Sequence, residues 1–216
     1  MISIYEVNPD FHFSTLLPSE RSFDRSNRKA LLRFNGESKM EVWGPKRNCY
    51  VPEPKMRCGD FAGFDARRLA VCSTAFAKAD RLNRFFNKWN MELLSLVDQD
   101  EGTEWFAINM IYVPNIIDRD KSILTVRPYR QKFEFYPDRI RKQNVFSSWW
   151  PDSLRGALLC WEETKDPDSE FKAYVEKAGL SGLEFRLLWD EEKGGRLFEA
   201  GWDSKKGLVL RDQDEQ

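Results

Sequence analysis

The chain has 216 residues, of which 41% are hydrophobic and 14% aromatic, so it can bury a core and is not expected to be disordered. Its 34 basic and 35 acidic side chains nearly cancel, and the overall charge therefore gives no argument for a nucleic-acid or membrane partner. The four cysteines are too few for a disulfide framework in a chain of this length, and no stretch approaches the roughly 20 consecutive apolar residues of a membrane span.

The amino-terminal segment, residues 1–13, predicts a strand and no export signal. It contains no basic stretch followed by a long apolar one, so we expect no signal peptide and a protein that stays in the cytoplasm. Within residues 2–7, Ile2 and Ile4 are two positions apart, as on the buried face of a strand. We therefore predict a short first strand here.

The region that follows is harder to interpret. Residues 30–34 and 39–43 are predicted as a strand pair, because the turn dipeptide Asn35-Gly36 lies between them. Residues 44–65 contain several prolines and glycines, which predict a long irregular connection.

Residues 157–190 form the clearest unit in the chain. An apolar run is followed by a helix that Asp168 or Ser169 can cap, and Gly179 is placed to end it in the left-handed conformation. An alternating strand then occupies residues 183–189. The helix is predicted from four apolar residues at helical spacing, Phe171, Tyr174, Val175 and Ala178.

The same pattern occurs earlier, between Leu69 and Val97. An apolar run there precedes a helix that starts near Ser73 and extends to Trp89, and a strand follows from Met91. We therefore predict an α+β fold with a mixed or mainly antiparallel sheet and two similar strand-helix-strand units. It would be built as a single domain over residues 1–216 or as two subdomains, 1–100 and 101–216. Further strands are predicted between and after the units, at residues 105–113, 122–126, 131–136 and 208–211.

Catalytic motifs are absent from the sequence. His12 is the single histidine and has no partners for a nucleophilic triad, and no phosphate-binding loop, dinucleotide fingerprint or zinc-protease motif is present. Asp118 and Asp120 could bind a divalent cation, but their position between predicted strands is more typical of a turn. Residues 191–193 likewise favour a polar turn over a nuclease site. We therefore predict no enzyme activity, no metal and no cofactor.

The stretch from Arg127 to Trp150 is basic and aromatic, and it allows two interpretations. Basic residues interleaved with aromatic ones could bind phosphates and stack bases, whereas the alternation in residues 132–136 favours a strand with buried aromatic and outward charged side chains. Trp149 and Trp150 are consecutive, so on a strand only one of them can enter a given core. An exposed tryptophan is typical of a protein-binding hot spot.

Three segments carry a resemblance to a known family. They are residues 59–61 (GDF) ahead of RRLAVCSTAF, the stretch WFAINMIYVPNIIDRDKS, and FKAYVEKAGLSGLEFRLLW. Together they resemble an α+β immunity protein family of bacterial polymorphic-toxin systems, over about residues 57–190. In that family an Asp-x-x-x-Ser segment precedes a closing phrase of strand, serine, helix, Gly-Leu-x-Gly and strand. The chain departs from the pattern at residues 161–163, where Trp-Glu-Glu replaces the serine.

The resemblance implies a non-enzymatic protein that binds and neutralises a cognate toxin or effector in the cytoplasm of the producing cell. An alternative is a nucleic-acid-associated protein or a metal-dependent nuclease that uses the basic stretch or the acidic pairs. For the first hypothesis, the predicted partner-binding residues are two aromatic anchors and four acids that would steer a basic toxin: Trp149, Trp150, Asp118, Asp120, Glu162 and Glu163.

Overall fold

The computed structural model describes residues 1–10, 12–13, 15–20, 22–23, 28–32, 34, 37–44, 46–52, 59–65, 68–87, 91–111, 115–126, 129–140, 145–146, 158–203 and 207–213. In chain order its strands are β1 (Ser3–Pro9), β2 (Thr15–Pro18), β3 (Arg47–Tyr50), β4 (Phe61–Phe64), β5 (Arg68–Cys72), β6 (Met91–Asp98), β7 (Glu104–Met110), β8 (Ile117–Val126), β9 (Tyr129–Phe135), β10 (Val145–Phe146), β11 (Leu158–Glu162), β12 (Leu183–Asp190), β13 (Gly194–Gly195), β14 (Phe198–Asp203) and β15 (Gly207–Asp212). The helices are α1 (Arg28–Leu32), α2 (Met40–Trp43), α3 (Ser73–Lys78), α4 (Leu82–Asn87), α5 (Pro137–Ile140) and α6 (Phe171–Ala178).

The predicted α+β class is wrong, because the fold is mainly β. Strands form a closed six-stranded barrel and two further sheets, whereas the longest helix among the described residues, α6, has 8 residues. Residues 44–65, predicted as an irregular connection, contribute two strands to the barrel, and the longest predicted helix is interrupted. The balance between helix and strand therefore differs from the one that the sequence pattern indicates.

The barrel has the strand order β2-β3-β6-β7-β5-β4. Two of its pairings, β2 with β4 and β3 with β6, are parallel, and the others are antiparallel. β3 and β4 lie within residues 44–65, so the prediction of an irregular connection is wrong for that part. Each of these strands has only 4 residues, which is too short for a local alternation to reveal it, and each has at least one partner that is distant in sequence.

Two short helices, α1 and α2, stand where a strand pair is predicted at residues 30–34 and 39–43. Leu31 and Leu32 of α1 and Trp43 of α2 belong to the buried cluster of the barrel interior. Trp43 from α2 is 2% exposed and packs edge-on against Phe23, with ring centroids 5.4 Å apart. The helices therefore supply apolar side chains to the barrel core. Asn35 and Gly36 lie outside the described residues.

The second sheet has the order β10-β11-β1-β12-β13, with β1 at its centre. The predicted first strand is confirmed, and Ile2 and Ile4 are fully buried. β12 carries a register shift opposite Ile4 and Tyr5, which places an extra residue in its ladder. The shift interrupts the alternation predicted for residues 183–189, so Leu188 is fully buried together with Trp189.

The two strand-helix-strand stretches make the same connection in different sheets. β11 and β12 both pair antiparallel with β1, so they run parallel to each other with β1 between them. β5 and β6 likewise flank β7 in the barrel. The helix predicted from Ser73 to Trp89 is divided into α3 and α4, because Ala79 takes a non-helical conformation with φ −134° and ψ 87°.

Helix α6 lies between the five-stranded sheet and the barrel wall. Phe171 in α6 is fully buried, and its ring centroid lies 6.4 Å from Phe61 in β4 and 5.6 Å from Phe85 in α4. On its other side it contacts Phe185 in β12 at 6.3 Å. One aromatic cluster therefore joins the barrel, the helices and the five-stranded sheet.

The third sheet has the order β15-β14-β9-β8, so β8 is a terminal strand. Phe133 and Phe135 on β9 are buried and face the five-stranded sheet, where the Phe135 ring lies 6.3 Å from that of Trp189. The predicted alternation of residues 132–136 is therefore confirmed as a strand with buried aromatic residues. None of the helices that the structure describes is long and apolar enough to cross a membrane.

Candidate functional site

Two of the segments that carry the family resemblance meet in space. The N–H of Ser181 donates a hydrogen bond to the Asp60 carboxylate at 3.0 Å, and the Ser181 hydroxyl donates to the same oxygen at 3.0 Å. In return, the Asp60 N–H donates to the Ser181 hydroxyl at 3.2 Å, and the Phe61 N–H donates to the Ser181 carbonyl at 3.0 Å. We call residues 59–61 and 179–182 the motif junction.

Glycine is required where the two backbones of the motif junction touch. Gly182 has φ +93°, and a Cβ on it would lie 2.0 Å from the Phe61 carbonyl oxygen. A Cβ on Gly59 would lie 2.9 Å from the Gly182 Cα. No side chain fits at such distances without a shift of backbone, so both glycines serve the close approach of β4 to the end of α6.

The predicted helix end is confirmed within the motif junction. Gly179 takes the left-handed conformation, with φ 64° and ψ 31°. The Leu180 N–H donates to the Val175 carbonyl at 3.1 Å, and Leu180 is buried at 9% exposure, as in a Schellman motif. The helix starts later than the predicted caps Asp168 and Ser169 indicate, because α6 begins at Phe171. In the turn before it, the Asp166 carboxylate accepts a hydrogen bond from the Asp168 N–H at 3.0 Å.

The Asp60 carboxylate is a buried anion with several donors. It is 3% exposed and also contacts the Lys78 ammonium at 2.5 Å. Burial raises the pKa of Asp60, but the hydrogen bonds from Lys78 and Ser181 outweigh it, and the pKa lies below its usual range. The Ser181 hydroxyl donates to the Asp60 carboxylate and accepts from the Asp60 N–H. It therefore positions the backbone rather than acting as a nucleophile.

The Asp-x-x-x-Ser segment of the resemblance also forms a closed local structure. The pairing of β8 with β9 is continuous except between Asp118 and Ile123, where β8 leaves the ladder. The Asp118 carboxylate accepts the Asp120 N–H at 3.2 Å, and the Ser122 hydroxyl donates to the Asp118 carbonyl at 2.6 Å. Asp118 therefore has the turn role that the sequence predicts, although this turn interrupts strand β8.

The two predicted acids of β8 differ in exposure. Asp118 is 7% exposed and is paired with Lys121 at 3.1 Å. Burial raises the pKa of Asp118, while hydrogen bonds from the Lys121 ammonium and backbone outweigh it and lower the pKa. Asp120 is exposed, and its carboxylate has no partner among the described residues. Of the two, only Asp120 is placed to steer a partner.

The other two predicted acids lie at the end of β11. Glu162 is 5% exposed and is paired with Lys172 of α6 at 3.2 Å, so it is occupied inside the molecule. Lys172 also contacts Glu176 at 3.0 Å and lies 4.9 Å from the Tyr5 ring. Glu163 is partly exposed, and its N–H donates to the buried Glu170 carboxylate at 3.1 Å. The prediction of Glu162 as a steering charge is therefore not supported by its burial.

Trp149 and Trp150 lie outside the described residues, and their role as aromatic anchors stays a prediction. The described cations of the basic stretch have partners within the chain: Arg130 contacts Glu199 at 2.6 Å, and Lys132 contacts Glu134 at 3.2 Å. Arg139 lies 4.2 Å from the Tyr136 ring. This pairing reduces the positive charge that the stretch could offer to nucleic acid.

An exposed apolar segment of β8 was not anticipated from the sequence. Ile123 is 42% exposed and Leu124 is 38% exposed, and both belong to the terminal strand of their sheet. The signal available was a run without ionisable residues, from Ser122 to Val126, directly after four consecutive charged ones. We call residues 122–126 the apolar edge segment.

No site for metal or nucleophilic chemistry is assembled in the part of the chain that the structure describes. No group of three or more potential ligand residues converges there on a metal position. Cys160 is fully buried, and burial raises the pKa of its thiol, so it behaves as a core residue. Neither a protein-family model nor a curated protein sequence matches this chain.

Proposed function

We propose that this chain is a non-enzymatic immunity protein that binds a cognate bacterial toxin and neutralises it in the cytoplasm of the producing cell. Such a protein acts by covering the toxin's working surface, so it needs a complementary surface rather than catalytic groups. The proposal rests on the resemblance of residues 57–190 to immunity proteins of polymorphic-toxin systems.

One observation bears on the resemblance. Gly59, Asp60, Ser181 and Gly182, which belong to the segments that carry the resemblance, interlock through side-chain hydrogen bonds and a backbone contact that excludes any Cβ. The contact gives these residues a structural role, because it holds the start of β4 against the segment that follows α6. The functional proposal itself rests on the resemblance.

A second observation supports binding to a protein. Ile123 and Leu124 are consecutive exposed residues on the strand at the end of its sheet, a position that soluble proteins usually protect from association. Asp120, three positions before Ile123 in the chain, is also exposed. A partner that buries this region would gain apolar contact and could pair with the acid.

Growth of cells that produce the toxin tests the proposal. The probe is the carboxyl-terminal toxin domain encoded beside this chain in the producing bacterium. Cells that express it should grow when the chain is co-expressed, and they should fail to grow with Gly182→Ala, which is expected not to fold. Death of the cells despite folded, abundant chain would contradict the proposal.

A further inference from the structure

We infer that the toxin adds an extended segment to the open edge of β8, with apolar side chains against Ile123 and Leu124 and a basic side chain beside Asp120. The mode of binding rests on the proposed function, since the added strand belongs to the toxin. It goes beyond that function by naming the recognised surface and the chemistry of the segment that it takes.

Among the described strands, β8 stands at the end of its sheet, and β9 is the strand that pairs with it. A terminal strand has N–H and C=O groups along its outer side, and another strand satisfies them in register. An extended peptide is therefore the ligand that matches this main chain.

The two halves of β8 differ in how strongly they resist the addition of another strand. Between Asp118 and Ile123 the strand leaves its ladder with β9, and residues 119–121 are charged and exposed. Irregular pairing and charge are the usual means by which edges resist unwanted strand addition. The apolar edge segment has neither, because its residues 123–126 pair regularly with β9 and carry no charge.

The exposed apolar side chains are placed for an added strand. Ile123 and Leu124 are consecutive, so they point to opposite faces of the sheet. Their neighbours on β9 are Lys132 and Gln131, respectively. A strand added on the outer side would place apolar side chains next to both residues, one on each face, which is the arrangement that stabilises paired strands.

The charge beside the apolar edge segment defines the remaining chemistry. Lys121 is paired with Asp118 at 3.1 Å, and Arg119 also has an interaction within the molecule. Asp120 is exposed, and its carboxylate has no partner among the described residues. The uncompensated charge is therefore negative, and an arginine or lysine at the end of the added strand complements it.

Binding of the purified toxin domain encoded beside this chain tests the inference. The double variant Ile123→Lys/Leu124→Lys should bind at least about 100-fold more weakly than the wild type, because apolar contacts at the centre of an interface dominate its affinity. Asp120→Lys should bind about 10-fold more weakly and lose most of the salt dependence. The matched control is Val42→Lys, at a residue 59% exposed on α2 of the barrel, which should change affinity less than about 2-fold.

Hydrogen exchange of the wild-type complex gives a readout that needs no variant to fold. Amides in the apolar edge segment should exchange more slowly with the toxin domain bound, because an added strand shields them from water. Unchanged exchange there, with wild-type affinity in the double variant, would overturn strand addition and leave the proposed function intact. A wild type that binds no toxin domain would overturn the proposed function itself.

A second copy of this chain is the other possible source of a strand. Self-association would appear as a concentration-dependent dimer that the double variant abolishes. If this dimer formed and the toxin domain bound the double variant normally, the edge would belong to self-association and the inference would be wrong.

Discussion

Asp60 and Ser181 lie 121 positions apart in the chain, and each donates a backbone N–H to the side chain of the other. The pair fastens the first residues of the barrel strand β4 to the segment between α6 and β12. Phe171 adds an aromatic contact between the same two regions. The barrel and the five-stranded sheet are therefore joined by polar and apolar contacts on either side of one short helix.

Replacement of Asp60 by asparagine should destabilise the fold by about 2 kcal/mol or more, because a buried carboxylate with charge-assisted hydrogen bonds is lost. Lys78→Gln is the matched control, since the lysine side chain is 60% exposed and its ion pair should contribute less than about 1 kcal/mol. Urea unfolding measures both changes. Equal losses in the two variants would show that the ion pair, rather than the hydrogen bonds with Ser181, provides the stability.

Gly182→Ala should prevent folding or cost more than about 3 kcal/mol, because its Cβ would lie 2.0 Å from the Phe61 carbonyl oxygen. Gly102→Ala is a control at another left-handed glycine. Gly102 has φ +72° and nothing within 4 Å of a Cβ, so strain alone should cost about 1 kcal/mol. Circular dichroism during thermal unfolding distinguishes them, and similar melting temperatures would refute the close approach.

Acid should destabilise the protein through its buried carboxylates. The pKa values of Asp60 and Glu92 are lowered in the folded chain, because hydrogen bonds to each outweigh the effect of burial, which raises them. Their contribution is complete above the unfolded-state values near pH 4 and is lost as the pH falls through the lower folded-state values. The free energy of unfolding should therefore decrease below about pH 5, and less steeply in Asp60→Asn. An identical pH dependence in that variant would contradict the assignment.

Asp118 and Asp120 should differ in their effects on stability, although they are separated by a single residue. Asp118→Ala removes the acceptor for the Asp120 and Lys121 N–H groups and should cost about 1–2 kcal/mol. Asp120→Ala should change stability by less than about 0.5 kcal/mol, since its carboxylate is exposed. Chemical denaturation provides the comparison, and a larger loss for Asp120 would contradict the structure of the β8 turn.

Local signals predict part of this fold well. The end of α6 at Gly179 is readable because a glycine after an apolar helical stripe has one common role, and the strand at Ser3–Pro9 follows from simple alternation. The barrel is not readable in this way. Parallel pairing of β2 with β4 and of β3 with β6 joins short segments that are distant in sequence, and no local pattern encodes it.

The burial of the predicted site residues was harder to predict than the helix end. Asp118 and Glu162 look like surface acids in the sequence, yet Lys121 and Lys172 occupy them within the molecule. Their burial depends on partners that spacing does not reveal. Exposure of Ile123 and Leu124 depends on β8 being the terminal strand of its sheet, which is a property of the topology rather than of the segment.

Inhibition of the purified toxin domain is the decisive test of the proposed immunity function. Increasing amounts of this chain should reduce the toxin's activity in proportion and abolish it near one equivalent, because a tight one-to-one complex covers the working surface. The proposed function predicts that the toxin is encoded beside this chain, and Val42→Lys should inhibit it as well as the wild type does. Full toxin activity in the presence of a large excess of folded chain would show that the chain does not neutralise it.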